Sequence, residues 1–154
     1  MKNPTNKSLG TINMQKQKGF TIIELIVVIA IIAVLAAIVM VNVTSYIAKG
    51  KDVSIRGNMA TALTNAAVYY DAVSNYTTVC ADTTYGFKTA YDAAAGISGA
   101  ESCADSADKW CACAQLVSDT TKYFCVDYTG TKKETLITCA TDCIDGTDYV
   151  CDGV

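Results

Sequence analysis

The stretch KGFTIIELIVVIAIIAVLAAI, residues 18–38, decides how the rest of the chain is organised. It opens an apolar run over residues 20–41 in which Glu24 is the only charged side chain. As a helix rising about 1.5 Å per residue, this run is roughly 33 Å long, enough to cross a bilayer core. Lysines without any acid precede the run, which predicts a cytoplasmic amino end and export of the chain after it.

Glu24 separates this run from an ordinary membrane segment. A cleaved secretory signal does not fit, because the apolar part is too long and no small-x-small cleavage site comes after it. A plain signal anchor fits everything except the carboxylate. An ionisable side chain inside an apolar span indicates function and requires a cationic partner.

The segment KGFTIIEL, residues 18–25, with Ile, Val and Ala after it to Ile38, resembles the amino terminus of type IV pilins and pseudopilins. The resemblance implies that a prepilin peptidase cuts between Gly19 and Phe20 on the cytoplasmic side and methylates the new terminus at Phe20. It also implies that Glu24 meets the amino-terminal ammonium of a neighbouring subunit during filament assembly.

The pattern after the apolar run remains helical to about residue 75 and becomes amphipathic. It predicts one continuous helix of about 55 residues. The stripe expected to pack on a sheet contains Ile55, Met59, Leu63, Ala66 or Ala67, and Tyr70. The side chains expected to face water are Lys51, Asp52, Arg56 and Asn58.

The remaining chain predicts a small antiparallel sheet. Residues 76–108 are expected to form a loop with one short helix. Residues 110–117 and 122–129 have strand composition, and residues 133–139 are expected to return as a third strand. The expected fold is α+β and pilin-like: a long helical spine carrying a small, disulfide-rich sheet.

Four segments are expected along the chain. Residues 1–19 form the leader peptide, 20–41 the transmembrane and filament-core helix, 42–76 its amphipathic continuation, and 77–154 a small disulfide-stapled domain.

The chain has eight cysteines, all after the apolar run. An even number in a small exported domain indicates a disulfide framework, although the sequence does not choose the pairing. The candidates are Cys80, Cys103, Cys111, Cys113, Cys125, Cys139, Cys143 and Cys151. Zinc is the alternative, but Cys-x-Cys and Cys-x-x-x-Cys spacings are not paired Cys-x-x-Cys knuckles, and the chain has no histidine.

The cysteine positions predict two structural details. Cys80 is expected to tie the loop to the spine, and Cys139, Cys143 and Cys151 to hold the carboxyl region. Cys111 and Cys113 share one face of a strand, so they are not expected to pair with each other.

Aspartates near the carboxyl end raise a calcium hypothesis. Asp142, Asp145 and Asp148 are the candidate ligands, since oxygen-rich loops suit Ca²⁺ and the resemblance includes calcium-binding major pseudopilins. Their spacing is not that of a defined Asp-x-Asp-x-Asp-Gly loop, and the other interpretation is a solvated turn region pinned by disulfides. No other cofactor is expected.

The composition excludes several function classes. Without histidine, His-based triads and mixed Cys/His zinc sites are absent, and the sequence has no phosphate loop or Ser elbow. No enzyme activity is therefore expected. The chain is acidic from residue 20 onward and forms no basic stripe, which does not favour nucleic acid.

The resemblance implies a structural role. The precursor is expected in the cytoplasmic membrane as a single-pass protein with its amino end inside, and afterwards in an extracellular filament serving adhesion, twitching motility or DNA uptake. Its expected partners are copies of itself in a helical filament, the prepilin peptidase, and the assembly platform of a pilus or secretion machine. The alternative is a pseudopilin of a type II secretion system.

Overall fold

The structure is a computed structural model that describes residues 19–99, 101–136, 143 and 149–151. Its helices are α1 (Ile22–Val73) and α2 (Phe87–Ser98), with a single 3₁₀ turn at Val79–Ala81 between them. Its strands are β1 (Glu101–Asp105), β2 (Trp110–Gln115), β3 (Tyr123–Asp127) and β4 (Lys132–Thr135). The chain divides into two compact units, one ending at Val39 and the other beginning at Met40.

Helix α1 confirms the prediction of one long helix. It has 52 residues and runs without a break from the apolar run into the amphipathic segment. It ends where Ser74 takes a left-handed conformation, with φ of 62°, and its N–H donates to the Tyr70 carbonyl. The left-handed residue turns the chain away from the helix axis and so begins the next loop.

The sheet has four antiparallel strands in the order β1-β2-β3-β4. Strands β2, β3 and β4 confirm the three predicted from the sequence. Strand β1 corrects the expectation that residues 76–108 contain only a loop and one short helix. Its sequence, ESCAD, has neither β-branched residues nor an alternating apolar pattern, so pairing with β2 rather than propensity makes it a strand.

One face of the sheet packs against α1 and α2. The buried α1 side chains lie at Ile55, Met59, Ala62, Ala66 and Tyr69. The predicted stripe was wrong in phase at its end, because Tyr70 is 45 % exposed and Ala67 is also exposed. The buried positions progress in steps of four, three, four and three residues, which keep one face of a helix turned to the sheet, whereas repeated steps of four drift off it.

The other face of the sheet is also covered. Cys111, Cys113 and Cys125 lie there with Cys143 and Cys151, and all five are fully buried. Strand β2 therefore has no exposed face, and its first five residues are buried without exception. The sheet therefore lies between the helices on one face and, on the other, the described carboxyl-terminal residues Cys143, Tyr149 and Cys151.

Asp52 contradicts the expectation that it faces water. Its side chain is only 2 % exposed. It accepts hydrogen bonds from the backbone N–H of Val117, at 2.6 Å, and from the N–H and hydroxyl of Ser118. Burial acts to raise the pKa of Asp52, but these hydrogen bonds outweigh it and hold the pKa below its usual value. The carboxylate thereby fixes the β2–β3 loop to α1.

Arg56 remains partly exposed, as expected of a residue that faces water, but it also contacts β4. It forms an ion pair with Glu134 of β4, with 2.5 Å between Nη2 and Oε1. Both side chains are more than a third exposed, so the pair orients the β4 edge but contributes at most about 1 kcal/mol.

Candidate processing and assembly segment

Gly19 and Phe20 lie just before α1, outside any regular secondary structure. Both are exposed, and the Phe20 side chain is 86 % exposed. A peptidase needs an accessible, non-helical peptide bond, and the bond between these residues meets that requirement. Cleavage there would leave α1 beginning within the first turn of the new chain.

Thr21 and Glu24 form a capping box at the start of α1. The backbone N–H of Thr21 donates to Glu24 Oε2 at 2.8 Å, and the Thr21 hydroxyl donates to the same oxygen at 2.9 Å. In return the N–H of Glu24 donates to the Thr21 hydroxyl oxygen at 3.2 Å. These reciprocal bonds satisfy donors that a helix amino terminus would otherwise leave without partners.

The role of Thr21 was not predicted from the sequence. The signal was present as Thr-x-x-Glu immediately before an apolar helix, which is a capping-box pattern. The box gives Glu24 a partner within its own chain, in addition to the ammonium that the resemblance implies. A carboxylate has about four acceptor positions, so the box leaves room for a cation. It also holds the carboxylate one turn from the predicted new terminus.

The apolar residues of α1 form a surface exposed on all sides. The large apolar side chains from Ile22 to Met40 are each 47–78 % exposed. By length and composition α1 could cross a membrane, and it is the single such helix in the part of the chain that the structure describes. A helix that is apolar all round is stable only when lipid or other helices cover it.

The comparisons with known proteins match this amino-terminal segment. The family model for the prokaryotic N-terminal methylation motif matches residues 14–40. The chain carries a prepilin signature. This signature supports a precursor of the type IV pilin or pseudopilin kind, and it implies processing by prepilin peptidase and assembly into filaments. No curated protein and no solved structure matches the chain.

The prepilin signature and the apolar helix together fit a membrane-anchored precursor that later enters a filament. The signature also points to a structural subunit rather than an enzyme. It ends before the carboxyl-terminal domain begins, so the properties of that domain rest on its own residues.

Disulfides hold the domain that lies beyond the prepilin signature. Cys80–Cys103 joins the 3₁₀ turn after α1 to β1. Cys111–Cys143 and Cys125–Cys151 join β2 and β3 to the carboxyl segment. Cys113 is disulfide-bonded as well, whereas Cys139 lies outside the described residues. The prediction that Cys111 does not pair with Cys113 is confirmed.

The zinc and calcium hypotheses have different outcomes. The sulfur atoms of Cys111, Cys125 and Cys143 lie within 4.8 Å of one another, close enough to surround one ion. Each of these sulfurs is in a disulfide, however, and a disulfide offers no thiolate to a metal. The calcium candidates Asp142, Asp145 and Asp148 lie outside the described residues, so calcium binding stays a prediction.

Proposed function

We propose that this chain is the structural subunit of a type IV pilus-like extracellular filament. The observation that carries the proposal is the prepilin signature on an apolar helix that is exposed on all sides and precedes a disulfide-stapled domain. The leader, residues 1–19, is removed after Gly19, and Phe20 becomes the methylated amino terminus.

The apolar surface of α1 is covered first by lipid and later by other subunits. Residues 20–41 lie in the membrane before assembly and in the filament core afterwards. The change costs little hydrophobic free energy, because neighbouring apolar helices replace lipid tails of similar polarity. Residues 42–76 connect this surface to the domain formed by residues 77–154, and α1 continues through them as far as Val73.

Glu24 is proposed to select the correct neighbour. In a bundle of apolar helices, its carboxylate pairs with the Phe20 ammonium of an adjacent subunit. Either charge left alone in a low-dielectric core is unfavourable, so wrongly stacked subunits are rejected. The capping box supports this role because Thr21 fixes the carboxylate close to the helix end.

The domain is suited to conditions outside the cell. Each disulfide that closes a loop of moderate length adds about 2–4 kcal/mol. The sheet is covered on both faces, which protects it from proteases. These features favour a surface filament over a periplasmic pseudopilus of a type II secretion system, which remains the alternative.

Mass spectrometry of the mature chain tests processing, and shear fractionation of cells tests location. We expect a first residue of methylated Phe20 and chain recovered in long filaments released by shearing. Mature chain confined to the cell envelope would favour the secretion pseudopilus. Chain that keeps Met1 would contradict both functions.

A further inference from the structure

The loop after α1 contains the sequence Asn75-Tyr76-Thr77. Asn-x-Thr with a middle residue other than proline is the acceptor pattern for N-linked glycans. The pattern alone occurs often, so its conformation and accessibility decide whether it can serve as an acceptor here.

The structure holds this pattern in an Asx turn. The Asn75 side-chain oxygen accepts the Thr77 backbone N–H at 2.9 Å, and Asn75 Nδ2 donates to the Val73 carbonyl at 3.1 Å. Thr77 is exposed and Asn75 is half-buried. The Tyr69 hydroxyl donates to the Thr77 carbonyl, which anchors the turn to the buried face of α1. The acceptor amide and the hydroxyl-bearing residue are therefore held together at the surface.

We propose that Asn75 is an N-glycosylation site whose donor is an oligosaccharide linked to a lipid diphosphate. Asn75 Nδ2 attacks the anomeric carbon of the first sugar. The N–C bond forms, the bond from that carbon to the diphosphate oxygen breaks, and the lipid diphosphate leaves. One amide proton passes to a base of the transferase, and no electrons are exchanged. The glycosylated amide keeps one N–H, which still suffices for the Val73 carbonyl.

The proposal rests on the export of this domain in the proposed function, because such donors are used on the non-cytoplasmic side of the membrane. The accessible turn then meets the transferase, and the finished glycan stays at the domain surface. Glycosylation of Asn75 is measured separately from filament assembly.

The chain offers an internal control in a second Asn-x-Thr pattern at residues 42–44, within α1. In a helix the N–H of residue 44 bonds four residues back, so an Asx turn of this kind is not available there. Asn42 is therefore expected to stay unmodified although it carries the same pattern.

The test is mass spectrometry of the full chain purified from its own cells, reduced and digested with trypsin. Cleavage at Arg56 and Lys88 gives the peptide 57–88 with Asn75, and cleavage at Lys49 separates the peptide with Asn42. We expect sugar mass on the first peptide, with fragment ions placing it on Asn75. An unmodified peptide 57–88 would overturn the proposal.

Three variants separate glycosylation from a turn that is merely structural. Thr77→Ala keeps the backbone N–H and carbonyl that form the turn, but removes the hydroxyl, and should abolish the sugar mass. Thr77→Ser should retain it, and Asn75→Gln should lose it. Sugar that survives Asn75→Gln or Thr77→Ala would overturn the proposal, because it would lie on another residue or obey another rule.

The same digest reads the amino terminus independently. Methylated Phe20 with a bare Asn75 would refute the glycan alone. Glycosylated Asn75 on a chain that keeps Met1 would support the glycan and refute the proposed function.

Discussion

Replacing Asp52 with alanine should destabilise the domain more than any change of an exposed charge on α1. Asp52 accepts hydrogen bonds from the backbone N–H groups of Val117 and Ser118 and from the Ser118 hydroxyl. The alanine leaves the two backbone donors without their acceptor in a partly buried loop. An unsatisfied donor costs about 1–3 kcal/mol. Because water reaches part of the site, we expect the free energy of unfolding to fall by about 3 kcal/mol in total.

The stabilisation by Asp52 should also depend on pH. Its pKa is lowered on folding from the usual value of 3.8, because the hydrogen bonds outweigh the opposing effect of burial. A carboxyl whose pKa is lowered on folding contributes stability that is fully present above the unfolded value and is lost as pH falls through the folded value. The difference between wild type and Asp52→Ala should therefore be constant near neutrality and shrink below pH 3.8.

The assay is urea unfolding of the full chain in detergent micelles with the disulfides intact, monitored by fluorescence. The chain has one tryptophan, Trp110, and it is 1 % exposed, so its emission reports the core. Asp71→Ala is the control, because Asp71 is an exposed acid on the same helix. Equal unfolding midpoints for the two variants would refute the reasoning, as would a difference that does not change in acid.

Two further sets of substitutions test the buried Asp127 of the sheet and the Cys80–Cys103 disulfide. Asp127 is fully buried and accepts the N–H groups of Thr129, at 2.9 Å, and Cys151, at 2.8 Å, so Asp127→Ala should cost about 3 kcal/mol by the same urea assay. Unchanged stability would show that these bonds are replaced by water. Replacing both Cys80 and Cys103 with serine should cost about 2–4 kcal/mol. A thermal midpoint equal to wild type would contradict the stabilising role of that disulfide.

The elements with strong local signals were predictable from the sequence. Helix α1 reflects a long periodic pattern, and strands β2 to β4 reflect their composition and the turn near Gly130. The capping box also has a local signal, because Thr21 and Glu24 form the Thr-x-x-Glu pattern immediately before the apolar helix.

The features that the sequence did not predict depend on distant contacts. Strand β1 exists because β2 pairs with it. The local sequence predicts that Asp52 is a solvated helix residue. Its two N–H donors come from a loop about 65 residues later in the chain, which local sequence does not reveal. The pairing of cysteines is likewise set by which strands become neighbours, and Cys111 meets Cys143 because the two lie together in the buried cysteine cluster on the outer face of the sheet.

Two properties of Glu24 compete to explain its role in assembly: its charge and its part in the capping box. A single substitution separates them. Glutamine can accept the Thr21 N–H and so preserve the capping box, but it carries no charge. Thr21→Val makes the opposite change, removing the hydroxyl of the box and keeping the carboxylate.

The most direct measurement is the yield of sheared filaments from cells expressing Glu24→Gln, compared with Glu24→Ala and Thr21→Val at equal membrane levels of mature chain. If pairing with the Phe20 ammonium drives assembly, Glu24→Gln will assemble as poorly as Glu24→Ala, whereas Thr21→Val will still form filaments. A wild-type yield from Glu24→Gln would contradict charge pairing and leave helix capping as the whole role of Glu24.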